Sequence, residues 1–125
     1  MIFDTDVLIW VLRGNARAAK AVDDREQRSV SVVSYMELIQ GSRNKAETRA
    51  IKAFLADMRF TSIPLGEDIG HRASIYMEEY ALSEAISMAD ALIAATAIES
   101  SQPLLTGNVK HYQAIKELDL RRFRP

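Results

Sequence analysis

Three carboxylates stand far apart in the chain, each where a short apolar run ends or a helical pattern begins: Asp4 in MIFDTDVLIW, Glu37 in VSVVSYMELIQG and Asp90 in SMADALIAATA. In an open α/β sheet the strand ends and helix starts of the carboxyl edge face one crevice, where ligands bind. Carboxylates gathered there repel one another. At about 4 Å and an effective dielectric near 20, each like-charged pair costs roughly 4 kcal/mol, so the cluster needs a proton or a cation. Clusters of oxygen ligands alone suit hard divalent ions, magnesium or manganese. The chemistry open to such a site is activation of water by a bound metal ion.

Each acid also has an ordinary use. Aspartate serves turns, and both Ser34-x-x-Glu37 and Ser87-x-x-Asp90 fit a capping box or its close variant. The two readings are compatible, because a residue in the first turn of a helix at the carboxyl edge also faces the crevice. Three acids in three such places favour a site. Asp6 follows Asp4 by roughly 7 Å of extended chain; a helix-capping role is expected for it, with support of the metal through water as the alternative.

These residues need elements to carry them. Ile2 to Asp4 reads as a strand, and Val7 to Leu12 as a helix after a turn at Thr5 and Asp6. Ala16 to Asp24 favours a second helix. Ser29 to Val33 is β-branched and reads as a buried strand, after which Ser34 opens a helix that puts Glu37 in its first turn and stops at Gly41. From Glu47 to Met58, apolar residues at 50, 51, 54, 55 and 58 mark one buried helix face. Phe60 to Leu65 is a strand, Glu67 to Tyr80 and Ser87 to Glu99 are helices, and Asp90 falls in the first turn of the latter. Pro103 to Thr106 is a strand, Gly107 and Asn108 turn, Tyr112 to Leu118 is helical, and Leu120 to Phe123 is an edge strand. Strands alternating with helices imply a three-layer α/β/α domain around a parallel sheet of about five strands.

Composition narrows the chemistry without naming it. A chain of 125 residues fits one domain, expected over 1–125. It has no cysteine, which removes disulfides and thiolate zinc sites and fits the cytoplasm. No signal peptide or membrane-length apolar run is present. The net charge of −1 gives no global attraction to nucleic acid, so phosphate contacts must come from local cations such as Arg13, Arg17, Arg43, Lys45 and Lys110, or from the terminal Arg121, Arg122 and Arg124. Most of these are expected on solvated faces. His71 and His111 lack metal-ligand spacing and receive no role. No phosphate-cradling Gly-x-x-x-x-Gly-Lys run occurs.

Four segments in order, DTDVLIWVL, SYMELIQG, ADALIAATA and LLTGNVKHY, resemble the successive signature blocks of the PIN-domain ribonucleases, particularly the VapC-type toxins of bacterial toxin–antitoxin pairs. The resemblance runs from Ile2 to about Tyr112 and implies a magnesium- or manganese-dependent endoribonuclease with Asp4, Glu37 and Asp90 as its acids. It also implies an RNA substrate, a small DNA-binding antitoxin as partner, a homodimer, and products ending in 5′-phosphate and 3′-hydroxyl. The family pattern usually adds a fourth acid after the fourth strand. Here no carboxylate lies between Glu99 and Glu117. The resemblance therefore leaves Thr106 or Asn108 to supply a neutral oxygen, or a site of three acids.

Two rivals are a phospho-acceptor domain of the response-regulator kind and a catalytically silent module of the same fold. The first needs adjacent acids after the first strand, an acceptor aspartate ending a middle strand and a late Lys-Pro. Here Asp4 and Asp6 are separated, Asp57 falls within a helical pattern, and no proline follows a lysine.

Overall fold

Asp4 directly follows a strand of only two residues, β1 (Ile2–Phe3), yet that strand is the centre of the sheet. The computed structural model describes every residue from Met1 to Pro125. After β1 come α1 (Thr5–Leu12), α2 (Ala16–Asp23), β2 (Arg28–Ser31), α3 (Val32–Gln40), α4 (Lys45–Asp57), β3 (Phe60–Ile63), α5 (Glu67–Tyr80), α6 (Met88–Glu99), β4 (Leu104–Thr106), a 3-10 turn (Val109–His111) and β5 (Leu120–Arg122). The strands lie in the order β3-β2-β1-β4-β5, and every pairing is parallel. This is the expected three-layer α/β/α architecture with five strands.

Alternation along β1 builds both layers, because successive side chains of a strand point to opposite faces. Ile2 joins a core with Ala73 and Tyr76 of α5, the alanine-rich face of α6, and Tyr112. Phe3 joins the opposite core with Val7 and Leu8 of α1, Val22 of α2, and Ile51 and Leu55 of α4. Both residues are completely buried, so two positions of sequence anchor two helical layers.

The chain runs outward from β1 to β2 and β3, then returns across α5 and α6 to place β4 on the other side of β1. The strand order therefore reverses between β1 and β4, a topological switch point, and Asp4 and Thr106 stand at the carboxyl ends of those two strands. This order also differs from the 2-1-3-4-5 order of response-regulator folds.

Three local expectations require correction. α1 begins at Thr5, with Asp4 as its N-cap, so the turn expected at Thr5 and Asp6 is already helix. α3 begins at Val32 and is capped by Ser31, whose hydroxyl accepts from Val33 N–H at 3.1 Å. Glu37 thus lies in the second turn, no Ser34–Glu37 capping box forms, and the buried Ser34 hydroxyl has no hydrogen-bond partner. Valines at 32 and 33 favour strand locally, but the Ser31 cap and the burial of Val33 in the core outweigh that weak propensity. Finally, Tyr112 to Leu118 is not a helix. Ile115 N–H donates to Tyr112 C=O and Leu118 N–H to Ile115 C=O, giving successive four-residue turns. The buried residues at 112, 115 and 118 fit that spacing of three as well as they fit a helix.

Candidate active site

The first acid is placed by both elements it joins. Asp4 backbone N–H donates to Leu105 C=O of β4 at 2.9 Å, while its side chain caps α1 by accepting Thr5 N–H at Oδ1, 2.8 Å. The residue is 5 % exposed. Its other oxygen, Oδ2, accepts the Thr106 hydroxyl at 2.8 Å and the Tyr112 hydroxyl at 3.0 Å. Burial nonetheless pushes the Asp4 carboxyl up to about 6, opposed by the bonds from Thr106, Thr5 and Tyr112 and reinforced by the charge of Asp6.

Asp90 reaches the same point from the other helical layer. Ser87 caps α6 by accepting Asp90 N–H at 3.1 Å, as half of a capping box would. The Asp90 carboxylate turns instead to Tyr112, whose hydroxyl lies 3.2 Å from Oδ1, and to His111, whose Nδ1 lies 3.3 Å from Oδ2. At 19 % side-chain exposure Asp90 is more open than Asp4. The start of α6 also favours its negative charge through the helix dipole.

Tyr112 is completely buried and sits between the two acids. A phenol carries one proton, so it serves one carboxylate fully or is divided between both. Burial first, and the two carboxylates second, push its ionisation far above the usual tyrosine range, so it remains a donor.

Glu37 stands on the exposed side, with Oε1 accepting the Thr5 hydroxyl at 2.7 Å. Thr5 therefore couples two acids, giving its amide to Asp4 and its hydroxyl to Glu37. Asp6 spans elsewhere: Oδ1 accepts Val7 N–H at 2.9 Å and Oδ2 accepts Gly107 N–H at 2.9 Å. Burial raises its carboxyl and the Gly107 amide opposes the rise. Asp6 thus ties α1 to the turn after β4. A side chain at Gly107 would crowd this tie, since a Cβ there would lie 2.6 Å from Asp6 Oδ2.

The neutral residues after β4 have different places. Thr106 is completely buried and contacts Asp4, while Asn108 is exposed and its backbone N–H donates to the Thr106 hydroxyl at 3.0 Å. The Asn108 side chain makes none of the site's hydrogen bonds.

The result is a chain of contacts, Glu37–Thr5–Asp4–Tyr112–Asp90–His111, with Asp4 at its centre. No three acids or histidines converge around a single point in this arrangement. Sequence reasoning missed Thr5, Tyr112 and His111. His111 and Tyr112 were visible only as neighbours in LLTGNVKHY, and nothing in their spacing announced a contact with Asp90 more than twenty residues before them.

The PIN domain family profile matches residues 1–117. The chain is 39% identical over 122 residues to ribonuclease VapC10 of Mycobacterium tuberculosis, covering 94% of this chain and 90% of that protein. It is 34% identical over 126 residues to ribonuclease VapC1 of Rickettsia felis, covering 96% and 93%. Its fold superposes on a chain of a toxin–antitoxin complex from Klebsiella pneumoniae with TM-score 0.80 at 27% identity, covering 95% and 93%. For VapBC-1 from nontypeable Haemophilus influenzae the TM-score is 0.81 at 25% identity, covering 98% of each chain. Matched along almost its whole length by family, relatives and fold, the chain belongs to the PIN-domain family, among the VapC ribonucleases.

Proposed function

We propose that this chain is a magnesium- or manganese-dependent endoribonuclease acting as the toxin of a toxin–antitoxin pair, with residues 1–125 as a single nuclease domain. One observation carries the reading: Asp4 and Asp90, far apart in sequence, meet at one buried hydroxyl at the sheet's switch point. The relatives named ribonuclease VapC support the activity, and the toxin–antitoxin complexes of similar fold support a protein antitoxin as partner.

The donor set fits a hard divalent ion. Its ligands are carboxylate oxygens, and burial already makes the lone charge of Asp4 costly, a cost that a cation offsets. Asp4 and Asp90 would hold the ion, with Glu37 as a third ligand or as the group that orients water. When bound, the ion supplies Lewis acidity and a water nucleophile at neutral pH. The chain's own residues do the rest. Thr106, Tyr112 and the Thr5 amide orient Asp4, Tyr112 and His111 orient Asp90, and the Thr5 hydroxyl holds Glu37 at the rim. The substrate would be RNA, cleaved to 5′-phosphate and 3′-hydroxyl ends.

No helix is long and apolar enough to cross a membrane, and we propose a cytoplasmic location. A homodimer is proposed as well. Met36, Leu82 and Met88 are exposed apolar side chains available to such a contact. The deciding experiment incubates the purified protein with RNA and either magnesium, manganese or chelator, beside Asp4→Asn and Asp90→Asn. Cleavage is expected only in wild type with metal. Undiminished cleavage in chelator, or in both variants, overturns the proposal.

A further inference from the structure

Beyond the carboxylates, the loop before α4 and the first two turns of that helix form a hollow of about 470 Å³ whose lining contains no apolar residue. It carries four cations: Arg43, Lys45, Arg49 and Lys52. Arg43 is paired with Glu47, but Lys45, Arg49 and Lys52 take part in none of the six ion pairs of the protein. All three are exposed. Their positions fall on one face of α4, since steps of four and three residues return to nearly the same side of a helix, and they span roughly 10 Å along its axis at 1.5 Å per residue. In a chain of net charge −1, three adjacent unpaired cations are a local excess.

The hollow joins a larger groove of about 820 Å³ through the shared Ser42 and Arg43, and Glu37 lines that groove. A continuous surface therefore leads from the site's outermost acid to Lys52. Its two parts differ in kind. The groove beside Glu37 has apolar walls from Ile9, Leu12, Leu38 and Ile51. The hollow is lined only by charged and polar residues, whose guanidinium, ammonium, hydroxyl and amide groups are the kinds that contact phosphate oxygens, and it has no aliphatic or aromatic residue to anchor a protein partner.

We propose that the basic face of α4 formed by Lys45, Arg49 and Lys52 is a track for the phosphate backbone of RNA flanking the scissile bond. This rests on the endoribonuclease reading. The track answers a difficulty that reading creates, because a cleft lined by Asp4, Asp90 and Glu37 repels a polyanion unless cations nearby offset the field. Phosphates bound on α4 hold the strand against that repulsion and lead it past Arg43 toward Glu37. The contacts read no base, so the track contributes affinity and orientation without sequence preference.

The test uses fluorescein-labelled oligouridylate, long enough to reach from the carboxylates past Lys52, in chelator and in the Asp4→Asn background, so that binding is read without cleavage. Anisotropy titrations over a range of salt give the slope of log affinity against log salt. Replacing Lys45, Arg49 and Lys52 together by alanine should lower that slope by about 2, since each phosphate contact on a single strand contributes roughly 0.7. Arg49→Ala alone should lower it by about 0.7. Lys116→Ala, an exposed cation on the C-terminal turns, should leave it unchanged. A triple variant with the parent's slope and affinity overturns the proposal. So does a triple variant that binds RNA normally but no longer binds its antitoxin, which would make the face a protein-docking surface. If the parent binds and the triple variant loses binding, yet wild type with magnesium leaves RNA intact, the track stands and the nuclease reading fails.

Discussion

The Tyr112 hydroxyl donates to Asp4 Oδ2 at 3.0 Å from a side chain with no solvent exposure. The same oxygen of Tyr112 lies 3.2 Å from Asp90, so one buried donor steadies two negative charges. A hydrogen bond to a charged group contributes roughly 1.5–3 kcal/mol, and outer partners of metal ligands typically change metal affinity by about 10–100-fold. Tyr112→Phe keeps the ring and removes only this donor. We expect it to fold, to lose about 1–3 kcal/mol of stability at pH 7 by urea denaturation, and to need at least about tenfold more magnesium for half-maximal RNA cleavage. A variant with unchanged stability and an unchanged magnesium titration would reduce Tyr112 to core packing.

Asp6 and Gly107 make a second coupled pair. Gly107→Ala would bring a Cβ to 2.6 Å from Asp6 Oδ2, the oxygen that accepts the Gly107 amide, while Oδ1 of the same carboxylate is held by the Val7 amide. We expect a loss of about 1–3 kcal/mol from the broken bond and the shifted turn. In Asp6→Ala the obstructing oxygen is gone, so the double variant should be little less stable than Asp6→Ala alone. Strict additivity of the two single losses, measured by a double-mutant cycle, would show that the turn yields elsewhere.

Much of this arrangement was legible in the sequence, and the illegible parts share a cause. Asp4 was readable because a carboxylate after two apolar residues at a strand end has few other uses, and Asp90 because Ser87 marks the start of α6. The boundaries of α1 and α3 were misread because local propensity is weak. Val32 and Val33 look like strand until Ser31 caps the helix and Val33 finds its place in the core. The turns from Tyr112 to Leu118 share with a helix the apolar residue at every third position. Tyr112, His111 and the tie from Asp6 to Gly107 depend on strands that pair across most of the chain, as β1 does with β4. Side-chain spacing carries no record of such contacts.

Asn108 stands where the family pattern usually has a further acid, yet its side chain is exposed and bonds to none of the three carboxylates. A neutral carbonyl oxygen contributes less to holding a divalent ion than a carboxylate does. Asn108→Ala should therefore cost less cleavage activity than Asp4→Ala at saturating magnesium. Asn108→Asp should lower the magnesium concentration needed for half-maximal rate if position 108 turns toward the ion. Equal losses for Asn108→Ala and Asp4→Ala would mean that the neutral oxygen matters as much as the buried acid.

The central acid should weaken the protein it serves. Because burial raises the Asp4 carboxyl to about 6 from an ordinary 3.8, the folded state holds its proton more tightly than the unfolded chain does. The contribution of Asp4 to stability without metal therefore falls as pH rises from about 4 to 6 and stays low above that, and a shift of roughly two units corresponds to a ceiling on the order of 3 kcal/mol. Asparagine fits the same space: its oxygen can accept the Thr5 amide, and its NH2 can donate to the Thr106 and Tyr112 hydroxyls, which rotate to receive it. In chelator, Asp4→Asn should be more stable than wild type at pH 7 by about 1–3 kcal/mol, with the difference shrinking toward zero near pH 4. Magnesium should narrow the gap at pH 7 by binding the folded wild type alone. Urea denaturation at pH 4, 5 and 7, with and without magnesium, measures each part. A stability difference between the two proteins that does not grow from pH 4 to 7, or an Asp4→Asn variant weaker than wild type in chelator at pH 7, would show that Thr5, Thr106 and Tyr112 already compensate the buried charge in full.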